Sequence, residues 1–446
     1  VLGFRVDSIL SGLRPSLILR GFSGKIVWKP GSGILPDVSR GLRAFRYDGA
    51  FASISDNLAI NFFEVYLVEL GGGSREVGLM TSAANLLGFL SLWPGVLAVR
   101  RLGRRMPVVL WGGGGIGRLM YLALALVPFL FPSPALAVPA VIAFNCVRVL
   151  MSNFSNPAWT VMVADLVPER IRGPYFASRN SIVAVAGAAA TFSSGWIVSA
   201  GDRLSLSPHF GYTLLFGLSC ATGYLSTLWF SRVPDFGSSK PQARRKVGDL
   251  VREMVRYPAF VGFLCFTFLW NFSLYIAGPF FNVYLVRELR ADAAMVGMVS
   301  MVGNIVQVFA LPFWGRKVDA KGDLRILLAT GFAIPLFPLA WTLVGAPWQV
   351  SIINVFSGFF WAGFNLANFN LLLKMMPEKD RQEGAALYQA LVLASTILGP
   401  LVGAELVEAL GYKSAFISSG LLRYAALSVL VVLVAAPLRR DRRLGA

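Results

Sequence analysis

Twelve stretches of this chain, each long enough to cross a bilayer as a helix, constrain its fold more than any other feature. They lie near 47–70, 76–98, 106–131, 135–166, 176–200, 210–232, 259–286, 294–314, 325–346, 348–375, 384–409 and 412–437. A membrane-spanning helix needs about 20 mostly apolar residues, because hydrocarbon gives backbone N–H and C=O groups no partner outside the helix itself. A β-barrel would read instead as alternating segments of about ten residues, and none occur. Several connections are short, at 71–75, 132–134 and 346–347. Composition agrees: 14% of residues are charged, against about 25% in a soluble domain. The expectation is an all-α integral membrane protein.

Charge sets the orientation. The formal net charge is +18, from 41 Lys and Arg against 23 Asp and Glu. Of those 41, 28 fall on one side of the predicted topology and five on the other. The positive-inside rule therefore predicts a multi-pass protein of the cell membrane with both termini in the cytoplasm. The basic charge is accounted for without a nucleic-acid partner. One His and three Cys leave no donor set for a His-ligated metal, a zinc ribbon or a disulfide framework. No cofactor or metal is expected. Residues 1–45 hold no apolar run beyond 17–19, so no signal-peptide core, and receive no role.

The chain repeats itself. Phe63-Glu64-Val65-Tyr66-Leu67-Val68 ends the first stretch, and Phe281-Asn282-Val283-Tyr284-Leu285-Val286 ends the seventh. Val77-Gly78 matches Val296-Gly297, and Pro168-Glu169 matches Pro377-Glu378. Same-topology repeats of six spans are related by an axis along the membrane normal and enclose a cavity near the midplane. The polar stretch 233–257 reads as a cytoplasmic linker. It divides an N-terminal six-helix bundle (46–232) from a C-terminal one (258–438), with a basic tail at 439–446.

The segment Gly95-Val96-Leu97-Ala98-Val99-Arg100-Arg101-Leu102-Gly103-Arg104-Arg105 follows the second stretch. It resembles the G-x-L-A-D-R-x-G-R-R loop signature of the major facilitator superfamily. A second copy, Gly315-Arg316-Lys317-Val318-Asp319-Ala320-Lys321-Gly322-Asp323-Leu324-Arg325, follows the eighth. The resemblance covers about 45–438 and implies two six-helix bundles with pseudo-two-fold symmetry, working by alternating access. The first copy has Val99 where the family has Asp; the second keeps Asp319. Asp165 stands three residues before Pro168, and Lys374 three before Pro377. The expectation is a gate in each half, of reversed polarity: a basic loop facing Asp165, and Asp319 facing Lys374. Gly95, Gly103, Gly315 and Gly322 are expected to permit tight turns there.

Charge inside a span costs at least about 2.5–3.5 kcal/mol per residue and marks function. Asp56, Glu64, Arg118, Arg148, Glu405 and Arg423 qualify. Heights reckoned at about 1.5 Å per residue match Asp56 with Arg118 and Glu64 with Arg148. In the family resembled, spans 1, 4, 7 and 10 line the cavity and spans 3, 6, 9 and 12 stand outside, which favours Glu64 and Arg148, with Glu64 or Asp56 as the proton carrier, and assigns Arg118 and Arg423 to structure or snorkelling. Asn57, Asn61 and Glu64 follow at i, i+4 and i+7, one helical face. Arg148 is similar to the span-four arginine of proton-coupled exporters, and Gly399-Pro400-Leu401-Val402-Gly403 to their G-P-x-x-G motif, though in another span. Trp361, Asn365, Asn368, Tyr388 and Gln389 are candidate substrate contacts. The run Gly112–Gly117 fits G-x-G-x-x-G but follows no strand, so helix packing is its expected role.

These readings converge on a secondary transporter, not an enzyme: proton-coupled export of amphipathic small molecules first, metabolite uptake second. A receptor or polytopic membrane enzyme is the alternative of another class. Expected partners are a small-molecule substrate, protons and the bilayer, with the protein a monomer.

Overall fold

A computed structural model describes residues 36–204, 209–235, 257–376 and 381–435. Among them, eleven helices are long and apolar enough to cross a membrane. They are Ser74–Leu102 (span 2), Met106–Leu130 (span 3), Pro134–Leu166 (span 4), Glu169–Arg203 (span 5), Phe210–Phe230 (span 6), Pro258–Arg287 (span 7), Ala293–Lys321 (span 8), Asp323–Trp341 (span 9), Pro347–Met375 (span 10), Arg381–Leu410 (span 11) and Tyr412–Ala435 (span 12). Span 1 is Pro36–Ala59, continued after a turn by Phe63–Glu69. It is less apolar because it carries Arg40, Arg43, Arg46, Asp48 and Asp56. No strand occurs among the described residues.

Span 1 starts at Pro36, eleven residues before the boundary near 47 expected from apolarity. Leu42 and Phe45 are buried, and the Tyr175 hydroxyl donates to the Leu42 carbonyl at 2.6 Å. Residues 1–35, the linker from 236 to 256 and the tail from 436 lie outside the described residues.

Local chemistry sets the ends. Pro134, Pro258 and Pro347 open spans 4, 7 and 10, where a missing N–H leaves no bond unmade. Asp292 caps span 8 by accepting from the Met295 amide at 2.8 Å. Gly103 (φ +64°) and Gly322 (φ +83°) end spans 2 and 8 in conformations that favour glycine. Gly95 and Gly315, expected at turns, instead lie within helices. Gly95 serves a close crossing: a Cβ there would collide with the Phe154 carbonyl of span 4.

Span 1 packs on spans 5 and 6, and span 2 on span 4. Span 7 packs on spans 11 and 12, and span 8 on span 10. Each pairing maps onto its counterpart when six is added to the span number, so the two halves are related by pseudo-two-fold symmetry. The halves meet along spans 2 and 11 and along spans 5 and 8. Large apolar side chains such as Trp111, Leu343, Phe309 and Phe332 are exposed, as a lipid-facing surface requires.

The core shows how the halves are held. Away from the Arg-rich loops one apolar cluster spans both, joining Phe62, Tyr66, Val77 and Leu124 to Phe280, Tyr284, Trp341 and Phe416. Toward the basic face the core divides. Leu42, Phe45, Val163 and Tyr175 belong to one half; Phe263, Phe266, Trp314 and Leu371 belong to the other. Polar ties reinforce the shared end. Arg75 donates twice to Glu405, at 3.1 Å each. Arg287 donates to the Gly72 carbonyl at 2.8 Å, and Asn282 to the Asn61 carbonyl at 3.3 Å. The bundles thus share a core at one face and separate toward the basic one. Glu405, expected as an intramembrane charge, is an exposed latch between the halves.

Candidate functional site

Inside the N-terminal half lies a cavity of about 360 Å³, walled by spans 1, 3, 4, 5 and 6. Span 1 supplies Asp48, Ala52 and Asp56, four residues apart and so on one helical face. Arg118 comes from span 3, Arg148, Ser152, Asn153 and Asn156 from span 4, and Arg179 from span 5.

These charges form a connected network. Arg118 Nη1 donates to Asp56 Oδ1 at 2.5 Å and to Ser55 Oγ at 3.0 Å. The Tyr121 hydroxyl donates to the same Asp56 oxygen at 3.1 Å and accepts from Arg148 at 3.5 Å. Arg148 also donates twice to Asn145 Oδ1, at 2.9 and 3.1 Å, and its guanidinium lies 4.5 Å from the Phe63 ring centroid, within cation–π range. The Asp56 side chain is 51% exposed, against 14% for Arg118. Its carboxylate is thus the accessible end of a pair whose cation is largely covered.

The Glu64–Arg148 ion pair expected from height does not form. Among the described residues no cation lies within ion-pair distance of Glu64, and Arg148 reaches Asp56 through Tyr121 instead. Height along a helix fixes depth but not direction around the axis. The turn at residues 60–62 interrupts span 1 between Asn57 and Glu64, breaking the predicted common face. Asn57 turns to span 5, accepting from Thr191 at 3.5 Å, and the Asn61 carbonyl engages Asn282.

Tyr121, Asp48 and Arg179 escaped the sequence reading. Asp48 is buried, accepts from Ser226 at 2.6 Å and lies 4.0 Å from Arg179. Arg179, counted among the loop cations, lies over the Phe45 ring at 3.9 Å. The eight-residue spacing of Asp48 and Asp56 was the available signal.

In the C-terminal half, Trp361 lines a second cavity of about 430 Å³ between spans 7, 9, 10 and 12. Asn365, Asn368, Tyr388 and Gln389 do not line it. Asn368 donates to the Tyr388 hydroxyl at 3.4 Å, Tyr388 stacks on Phe263, and Asn365 and Gln389 are exposed.

At the basic face the residues expected to form gates have other partners than those expected. Arg105, only 3% exposed at its side chain, donates to Asp165 at 2.6 Å; Arg100, Arg101 and Arg104 are exposed. Lys374 pairs with buried Asp323, not with Asp319, and Asn370 donates to Asp323 at 2.8 Å. Asp319 and Arg325 are exposed. Span 8 runs on to Lys321 as helix, so the residue that opens span 9 is the one beside span 10. The reversed polarity stands, as Arg105–Asp165 and Asp323–Lys374. The glycine run of span 3 adopts a π-helical turn at Gly112–Gly117, with the Gly113 amide donating to Ser155 at 2.6 Å: a packing element, as expected.

Comparison with known proteins places this architecture. Over 396 residues the chain is 23% identical to the multi-drug resistance efflux pump PmrA of Streptococcus pneumoniae, covering 85% of this chain and 92% of the pump. It is 31% identical to a Na(+), Li(+), K(+)/H(+) antiporter of Planococcus maritimus over 148 residues, 31% of this chain and about a third (34%) of the antiporter's length. Among solved structures, a mutant of the nucleoside transporter NupG superposes with a TM-score of 0.71 at 12% identity, covering 88% of this chain and 99% of that one. A bacterial homologue of the iron transporter ferroportin, in an inward-facing state, superposes at 0.69 with 15% identity, covering 90% and 99%. The Major Facilitator Superfamily model matches residues 49–277 and 267–445. With two pseudo-symmetric six-helix bundles around polar cavities, the chain belongs to the Major Facilitator Superfamily and is a multi-pass membrane transporter, not an enzyme.

Proposed function

We propose that the protein exports amphipathic small molecules across the cell membrane in exchange for protons, as a monomer, with its basic face and both termini in the cytoplasm. The observation that carries the reading is Asp56, a half-exposed carboxylate inside a membrane span, held by the largely covered Arg118 and linked through Tyr121 to Arg148. An ionised Asp56 neutralises Arg118. A protonated one loses that attraction and frees the guanidinium, so proton occupancy is tied to how spans 1 and 3 sit together. The cleft toward the basic face is then the inward-open state, and closing it requires the Arg105–Asp165 and Asp323–Lys374 regions to approach. The similarity to an efflux pump along 85% of the chain supports export, and the similarity to a cation/H(+) antiporter supports exchange against protons.

The test is proteoliposomes loaded with a pH-sensitive dye and offered a panel of amphipathic dyes. The reading expects solute flux to drive opposite proton flux. Asp56→Asn should abolish uphill transport while sparing downhill exchange. Uphill transport by Asp56→Asn at wild-type rate removes Asp56 as the carrier, and proton flux parallel to solute makes the protein a symporter.

A further inference from the structure

Spans 6 and 12 align with a constant offset of 200. Gly211-Tyr212, Phe216, Ser219 and Tyr224 match Gly411-Tyr412, Phe416, Ser419 and Tyr424. Spans 1 and 7 align with an offset of 218, which pairs Ser55 with Ser273 and Asp56 with Leu274. The structure honours both registers. Ser55 donates to the Ser219 carbonyl at 2.6 Å, and Ser419 donates to the Ser273 carbonyl at 2.6 Å.

Each half places one guanidinium at this crossing, but from a different helix. In the N-terminal half Arg118 of span 3 fills the space beside Gly223; a Cβ there would meet Arg118 Cδ at 2.5 Å. In the C-terminal half the position of Gly223 is itself an arginine, Arg423. Arg118 has Asp56 as its counter-ion. The equivalent of Asp56 is Leu274, and among the described residues no carboxylate lies within ion-pair distance of Arg423. Arg423 is 3% exposed. Its Nη2 donates to Ser419 at 3.0 Å, while its Nε has no partner. A guanidinium does not shed its proton in a protein, so this cation is buried, charged and unneutralised.

Arg423 and Leu274 both line the 430 Å³ cavity of the C-terminal half. That cavity contains no Asp or Glu. Its aromatic walls include Trp341 and Trp361. Its amides hold acceptors in reserve: Asn271, Asn282 and Asn354 each commit their nitrogen to a backbone carbonyl, at 2.8, 3.3 and 2.8 Å, and among the described residues none of the three side-chain oxygens accepts a hydrogen bond.

We propose that this cavity is a binding subsite for an aromatic organic anion, with Arg423 holding the anionic group where Asp56 sits in the other half. The amide oxygens accept from a hydroxyl or amine on the ligand, and the tryptophans flank its ring. The inference extends the transporter reading by a substrate class. Its test is equilibrium binding and needs no transport, so failure of proton coupling and failure of this subsite are separate results.

The full chain in phosphatidylcholine nanodiscs is titrated calorimetrically with 6-hydroxy-2-naphthoate and with the neutral 6-hydroxy-2-naphthamide. A charge-assisted hydrogen bond corresponds to about tenfold or more in affinity, so the anion should bind at least about tenfold tighter than the amide. Leu274→Asp restores the counter-ion found in the other half. It should remove that preference while leaving thermal stability equal or raised; Arg423→Gln should remove it too. Equal binding of anion and amide to the wild type overturns the proposal, whether or not Arg423→Gln folds. So does an undiminished preference in Leu274→Asp. Adding phosphatidylglycerol separates the sources of the anion: displacement of the naphthoate by this lipid assigns the cavity to a headgroup phosphate and overturns a solute subsite, and undisturbed binding supports it.

Discussion

Replacing Gly195 by alanine should push the transporter toward its state open at the face opposite the basic loops. Span 5 crosses span 8 there with backbone against backbone. A Cβ on Gly195 would meet the Ala293 carbonyl and the Ala294 Cα, all inside the contact distance of about 3.5 Å. None of these atoms belongs to a flexible side chain, so relief needs the helices to part by about 1 Å at the crossing. Such overpacking costs about 1–3 kcal/mol. The cost falls on the state in which the two spans touch and is relieved where they separate. The ratio of the two states should therefore move by about 5–150-fold. Spin labels at exposed Leu204 and Leu410, in a background with Cys146, Cys220 and Cys265 replaced by serine, report the distance between the halves at that face by pulsed electron resonance. The population at long distance should grow in Gly195→Ala and not in Gly217→Ala, where nothing lies within 4 Å of the added carbon. Coincident distributions for Gly195→Ala and wild type would refute the argument that this crossing holds the face shut.

Other outcomes follow from the same geometry. Tyr121→Phe cuts the link from Asp56 to Arg148 while keeping the ring, and should slow proton-driven transport severalfold at unchanged expression, measured in vesicles. Asp323→Asn removes the partner of Lys374 and should cost about 1–2 kcal/mol in thermal unfolding, whereas Asp319→Asn, being exposed, should match wild type in both stability and flux. The double swap Asp323→Lys with Lys374→Asp should recover transport that either single change impairs. Gly322→Ala forces a side chain into a conformation (φ +83°, ψ 154°) that only glycine holds comfortably, and should cost about 1–3 kcal/mol in thermal unfolding.

The spans, the two halves and the basic face were legible in the amino-acid sequence because a bilayer imposes local demands. Each helix must carry its own apolar length, and each loop its own charge. Repetition was legible for a similar reason: duplicated spans keep their order and spacing, as Phe63–Val68 and Phe281–Val286 do. The reversed polarity of the two ion pairs at the basic face could also be read from the sequence, although the second partner is Asp323, four residues beyond Asp319 and past the break at Gly322. What only the tertiary structure decided is which charges meet. Residue spacing gives the depth of Glu64 and Arg148 but not their direction, and a single turn at residues 60–62 broke the shared face. Arg148 therefore joins Asp56 through a tyrosine from a third helix. The separation of the halves at the basic face is likewise absent from any one segment, since it arises from two cores that merge only at the opposite end. Arg423 combines both lessons. Its charge inside span 12 stands out in the sequence, but that it has, among the described residues, no counter-ion such as Arg118 has at the equivalent crossing emerges only when spans 1, 3 and 6 are set beside spans 7 and 12.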